Sequence, residues 1–295
     1  MLCNVWRPVS NIIFGVQRRL TSTCVITEKI EEITIISINR PDKRNCVNSE
    51  TAQLLLKAFE DFEKDDTSKV AILHGKSGNF CAGYDLEEVA NEVKNGNNEP
   101  LGKSPIGPTY LTPSKSTIAA IDGYAVGGGF ELALMCDLRI CEENSVMGVF
   151  NRRFGIPLIN GGTVRLPKII GLTRAMDLIL TGRKVTAKEA FDMGIVNRVT
   201  DVGTVLGVAI NLALSLTKFP QECLLADRRS VYHSVFEAKS IEEAFNFEGE
   251  NGVPIVAKEG IEGARKFAES GLGKHGKFNL HSINELLEKN EPKVP

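Results

Sequence analysis

Histidine is scarce in this chain of 295 residues: there are four, His74, His233, His275 and His281. None lies four residues from another, which excludes the helical zinc-hydrolase pattern. The seven cysteines, Cys3, Cys24, Cys46, Cys81, Cys136, Cys141 and Cys223, include no CxxC pair. An odd, scattered set of this kind is neither a zinc ligand set nor a disulfide framework, and fits a reducing compartment. Long apolar runs are missing too, since 33–38 and 205–216 are short or broken by polar residues, whereas a membrane helix needs about 18 uninterrupted ones. A formal net charge of −2 supplies no global basic field, so nucleic acid is an unsuitable partner. What is present is ordinary for a globular protein, 42% hydrophobic and 24% charged residues, in a chain long enough to bury a core without staples.

Acidic residues are absent before Glu28, while Arg7, Arg18 and Arg19 punctuate an apolar, hydroxyl-rich stretch. That composition reads as a mitochondrial transit peptide over residues 1–23, placing the mature chain in the matrix. A secretory signal needs an apolar core of about 7–15 residues, and the run 11–16 is followed by two arginines. Next, 25–28 and 34–38 predict a hairpin about a polar turn at 29–32, closed by Pro41. Asn48 or Ser49 caps a helix whose apolar residues, Ala52, Leu55, Leu56, Phe59 and Phe62, recur at helical spacing, and 70–74 follows as a buried strand. The order returns as strand 116–121, helix 127–137 and strand 138–141, which predicts one layered α/β domain. Residues 91–113, rich in Asn, Gly and Pro, read as a mobile surface segment. Beyond Pro220 the pattern is helical, with Phe236, Ile241, Ala244, Phe245 and Phe247, and a last helix is expected at 283–289 after a tail that holds His275.

Three consecutive glycines, Gly127, Gly128 and Gly129, stand between strand and helix, followed by Phe130 and Glu131. Without side chains, successive N–H groups at a helix start can receive an oxygen that carries or develops negative charge. A dinucleotide fingerprint fits poorly, because its third glycine falls at Leu132. Close packing of helix on strand also uses glycine, so the triplet alone leaves both readings open. A second strand-to-helix turn, 78–86, carries Phe80, Cys81, Ala82, Gly83, Tyr84, Asp85 and Leu86.

Together with the blocks at 39–45, 156–167, 175–183 and 187–199, these segments resemble the crotonase (enoyl-CoA hydratase/isomerase) superfamily in order and spacing over nearly the whole chain after residue 23. The resemblance implies an α/β fold, a spiral of repeated ββα units over 24–220, and a helical oligomerisation region over 221–295 that assembles trimers or dimers of trimers. It also implies an acyl-CoA substrate, coenzyme A being part of that substrate, with no separate cofactor and no metal. By motif position the oxyanion hole falls on the amides of Ala82 and Gly128, and Glu131 is a catalytic glutamate. Cys81, Gly83, Tyr84, Asp85, Leu86 and Gly127 line the substrate, with Lys43 and Arg44 facing the CoA phosphates.

Where family hydratases carry a second glutamate, the count to Gly161 and Gly162 places Asn151. An amide can position water but does not exchange protons as a carboxyl does. The positions of another acid in related isomerases fall at Ile159 and Asn160, neither of which titrates. The reading is an enoyl-CoA hydratase or related lyase working through Glu131. Isomerase, decarboxylase, hydrolase and a catalytically reduced acyl-CoA binder stay open. Asp85, Asp122 and Asp137 read as caps or local hydrogen-bond partners.

Overall fold

Short runs rich in apolar and β-branched residues build the strands, which number nine among the described residues: β1 (Val25–Ile30), β2 (Ile33–Ile38), β3 (Val70–Gly75), β4 (Ser116–Ile121), β5 (Tyr124–Val126), β6 (Leu138–Glu142), β7 (Val146–Gly148), β8 (Val185–Thr186) and β9 (Arg198–Thr200). A computed structural model describes residues 24–96 and 105–270. The helices are α1 (Ser49–Lys64), α2 (Leu86–Lys94), α3 (Gly128–Met135), α4 (Gly162–Ile170), α5 (Leu172–Thr181), α6 (Ala187–Met193), α7 (Val205–Thr217), α8 (Gln221–Phe236), α9 (Ile241–Ile255) and α10 (Ile261–Ser270). The expected helix 283–289 and His275 lie outside the described residues.

The main sheet runs β1-β2-β3-β4-β6-β9, antiparallel between β1 and β2 and parallel thereafter. Strands of a parallel sheet are buried on both faces, and the alternation shows it. Ile36, Ile38, Leu73, Ala119 and Ile121 join a core with Leu55 and Phe59 of α1 and Phe130 of α3. Ile33, Ile35, Val70, Ile72, Ile118 and Ile140 face Val205, Ala209 and Leu212 of α7. Asn48 caps α1, its side chain accepting from the Thr51 amide.

Three features differ from the sequence reading. The first turn is shorter, because β1 extends to Ile30 and β2 starts at Ile33. A second sheet, β5-β7-β8, was not foreseen, since strands of two or three residues show no periodicity. The stretch 91–113 is not a surface segment throughout: α2 covers its start, and Ile106, Pro108 and Thr109 are buried at its end.

Asp122, just after β4, is buried with one carboxylate oxygen unpartnered. Burial, reinforced by the nearby Glu142 charge, pushes its carboxyl from 3.8 up to about 6. The folded state thus holds this proton more tightly than the unfolded chain, and stability contributed here falls as pH rises from about 3.8 to about 6. Asp122→Asn is therefore expected to stabilise the protein at pH 7.5 by up to about 3 kcal/mol, with little change at pH 4. Thermal unfolding at the two pH values checks this, and equal shifts at both would exclude an electrostatic origin.

Candidate active site

Two loops at the carboxyl ends of β3 and β4 meet above the sheet, the place where open parallel sheets present their ligand sites. The segment 80–85 is threaded between two neighbours. On one side, the Phe80 amide donates to Asp122 (2.8 Å), that of Cys81 to Tyr124 (2.8 Å), and that of Val126 to Cys81 (3.1 Å). On the other, the Ala82 amide donates to Arg44 (3.1 Å), that of Val47 to Gly83 (2.8 Å), and that of Asp85 to Val47 (2.9 Å).

This alternation corrects the assignment of Ala82, whose N–H is already committed to the Arg44 carbonyl. Val47 brackets Tyr84 in a parallel bridge, donating to the Gly83 carbonyl and accepting from the Asp85 amide, so the N–H of Tyr84 itself faces away from Val47. Among the described residues the Tyr84 amide has no backbone acceptor, and the Gly128 amide, in the first turn of α3, has no intrahelical one. They belong to adjoining backbones. An added Cβ on Gly83, at φ +96°, would lie 3.1 Å from the Gly128 nitrogen and 3.0 Å from the Val126 carbonyl oxygen.

Glu131, one turn into α3, has no exposed surface. Its Oε1 accepts from the amides of Asn160 (2.8 Å) and Gly162 (2.9 Å), and its Oε2 from Nδ2 of Asn160 (3.3 Å). Burial pushes the carboxyl above the ordinary glutamate range, against the pull of the Gly162 and Asn160 hydrogen bonds and the Arg165 charge. Asn160 itself donates to the Tyr84 hydroxyl and accepts from Oγ1 of Thr109 (3.1 Å). Arg165 spans the Thr109 carbonyl (2.8 Å) and that of Asn160 (3.3 Å). One buried carboxylate is thus held in a fixed polar frame.

Asn151 lies beside the glycine turn, its Cβ 3.6 Å from where a Cβ on Gly127 would stand. Its Nδ2 donates to the Ile156 carbonyl (2.8 Å), which fixes the amide's orientation and leaves a buried Oδ1 unpartnered. It lines a cavity of about 280 Å³ with Ile156, Leu158, Thr163 and Ile179.

The remaining sequence candidates separate. Cys81 is buried, its Sγ accepting from the Gly83 amide (3.4 Å), and Asp85 pairs with Arg40 (2.8 Å); both brace the loop. Lys43 is paired with Glu87 (2.5 Å), and Arg44 lies over the Tyr124 ring at 5.5 Å. Leu86 packs against the core, and Gly127 adopts φ +56° at the turn into α3. Sequence reasoning missed Tyr84 as an amide donor, and Thr109, Asn160 and Arg165 as the frame of Glu131. Neither left a signal in the sequence: the first is set by the pairing of 44–47 with 80–85, and the frame is assembled by segments distant in the chain.

Residues 28–275 match the family model described as enoyl-CoA hydratase/isomerase. The chain belongs to that family. It is 30% identical over 222 residues to the mevalonyl-coenzyme A hydratase of Aspergillus fumigatus, covering 75% of this chain and 82% of the relative. It is 33% identical over 242 residues to the carnitinyl-CoA dehydratase of Salmonella paratyphi A, covering 79% and 91%. The crystal structure of an enoyl-CoA hydratase from Mycobacterium tuberculosis superimposes with a TM-score of 0.77 at 35% identity, covering 84% of this chain and 96% of that one. These comparisons support the crotonase fold expected from the sequence. They also overturn the mitochondrial address, because the Salmonella and Mycobacterium relatives are bacterial enzymes and bacteria have no mitochondria. Residues 1–23, on which that address rested, lie outside the described residues. Among the described residues no group of three or more His, Cys, Asp or Glu could hold a metal ion, and no helix is long and apolar enough to cross a membrane.

Proposed function

We propose that this family member adds water across the α,β double bond of an enoyl-CoA, or runs the reverse dehydration, with Glu131 as its acid–base. The observation that carries the reading is the buried, doubly anchored Glu131 carboxylate beside the adjoining Gly83 and Gly128 backbones. The amides of Tyr84 and Gly128 receive the thioester oxygen. Water gives a proton to Glu131 as its oxygen bonds to Cβ, and the double-bond electron pair moves onto the thioester oxygen. The enolate is then protonated at Cα by Glu131, which returns to the carboxylate. Fixed amide dipoles are suited to this step because each such donor is worth about 2.7–4 kcal/mol when charge develops on the oxygen.

Asn151 takes the place of a second glutamate and contributes no proton, so a single carboxyl serves both half-reactions. Arg44 supplies positive charge for the CoA phosphates, and Lys43 does so once released from Glu87. The core spans 24–220, and the region from 221 onward assembles trimers or hexamers through apolar side chains exposed on α9 and α10, among them Phe245, Val253 and Ile261.

Incubation of the purified protein with a panel of enoyl-CoAs in heavy-oxygen water, read by mass spectrometry, tests the activity. The expected product carries one added water, with the label on the acyl group. Rearranged, decarboxylated or hydrolysed products would replace hydration with those chemistries, and binding without turnover would make the protein an acyl-CoA binder.

A further inference from the structure

A second cavity, of about 450 Å³, separates α8 from the sheet domain. It lies at the opposite end of α3 from Glu131, touching Leu134 and Cys136, and reaches α4 at Arg165, Lys168 and Ile169. Its volume falls within the range of about 300–1,000 Å³ usual for small-molecule sites.

The charges around it do not balance. Arg139, Arg165, Lys168 and Arg228 line the cavity, against one carboxylate, Asp137. Asp137 is already saturated: Oδ2 accepts from the amide (2.8 Å) and hydroxyl (3.0 Å) of Thr117, and Oδ1 from Nε of Arg228 (3.0 Å) and the Tyr232 hydroxyl (2.9 Å). Arg139 donates to the carbonyls of Ile195 and Cys136, and Arg165 to those of Asn160 and Thr109. Burial lowers the proton affinity of both guanidinium groups. Nη2 of Arg228 is buried without a partner. Desolvated cations whose partners are neutral carbonyls are costly unless a counter-charge arrives. The opposing walls are apolar, formed by Leu134, Leu138, Ile169, Leu216, Val235 and Phe236.

We propose that this cavity is a second ligand site that takes an aliphatic carboxylate, its head drawn to Lys168, Arg165 and Arg228 and its chain laid along the apolar wall. A charge-assisted contact orients the head, and chain burial supplies most of the affinity. The cavity shares Arg165 with the frame around Glu131 but is not lined by Glu131 itself, and the proposal does not depend on the reaction assigned there.

Calorimetric titration of the full chain with sodium octanoate tests the proposal, with octan-1-ol and acetate as probes of tail and head alone. One saturable octanoate site per chain is expected, with octanol and acetate each at least about tenfold weaker. Lys168 is exposed, so Lys168→Met should leave the fold unchanged while weakening octanoate about tenfold, as should Arg228→Met. If Arg228→Met does not fold, Lys168→Met decides alone. Octanol binding as tightly as octanoate, affinity unchanged by these substitutions, or no saturable binding would each overturn the proposal.

Discussion

Glu131→Gln is expected to lower enoyl-CoA turnover by about 10²–10⁴-fold, the usual contribution of a positioned acid or base, while thioester binding persists. The substitution preserves shape. Oε1 of glutamine can still accept from the Asn160 and Gly162 amides, and the new Nε2 would face Nδ2 of Asn160. A flip of the Asn160 side-chain amide relieves that donor–donor contact, because its other partners, the Tyr84 and Thr109 hydroxyls, can each donate or accept. Removing a buried carboxyl whose charged form is disfavoured by burial should leave the melting temperature unchanged or higher. Steady-state kinetics together with titration of a saturated thioester, butyryl-CoA, separates the outcomes. Undiminished turnover would remove Glu131 from the chemistry, and loss of butyryl-CoA binding would make its role structural.

How far this site could be read beforehand depended on the reach of each pattern. Gly127, Gly128, Gly129 and Glu131 stand close together in sequence, and the short, nearly continuous apolar runs around Ile35, Ile72 and Ile118 show locally that those strands are buried on both faces. Tyr84 rather than Ala82 presents the free amide because 44–47 pairs with one edge of 80–85, and motif order does not reveal which edge. The frame of Asn160, Thr109 and Arg165 closes around Glu131 through contacts 29–56 residues apart in the chain. Ile106 and Thr109 sit in a stretch whose Asn, Gly and Pro content suggested exposure, yet both are buried beside the site. Composition there reports turn-forming backbone and carries no information on burial.

The three glycines that made the turn conspicuous serve different ends, and substitution should separate them. Gly127 adopts φ +56°, which L side chains rarely take. Gly128 and Gly129 are helical, where alanine would by propensity be favoured by about 1 kcal/mol, so any loss reports contacts. A Cβ on Gly129 would lie 2.1 Å from the carbonyl oxygen of Cys81 and 2.7 Å from its carbonyl carbon. That backbone is pinned on both sides by the pairings of 80–85 and has nowhere to go. A Cβ on Gly128 would meet Cδ1 (2.6 Å) and Cγ1 (2.7 Å) of Ile106, the outer atoms of a side chain that can change rotamer. Overpacking costs about 1–3 kcal/mol and more where backbone must shift, at roughly 2–4 °C of melting temperature per kcal/mol for a chain of this size. Gly129→Ala is accordingly expected to lower the melting temperature by roughly 10 °C or to prevent folding. Gly128→Ala should melt within about 5 °C of the parent but lose activity, as the displaced Ile106 narrows the space beside the free amide. Circular dichroism melts of the two variants, with turnover measured on whichever folds, check the pair. Equal melting temperatures would show that the Cys81 backbone yields as readily as the Ile106 side chain, and the rigidity assigned to the amide-bearing loop would be wrong.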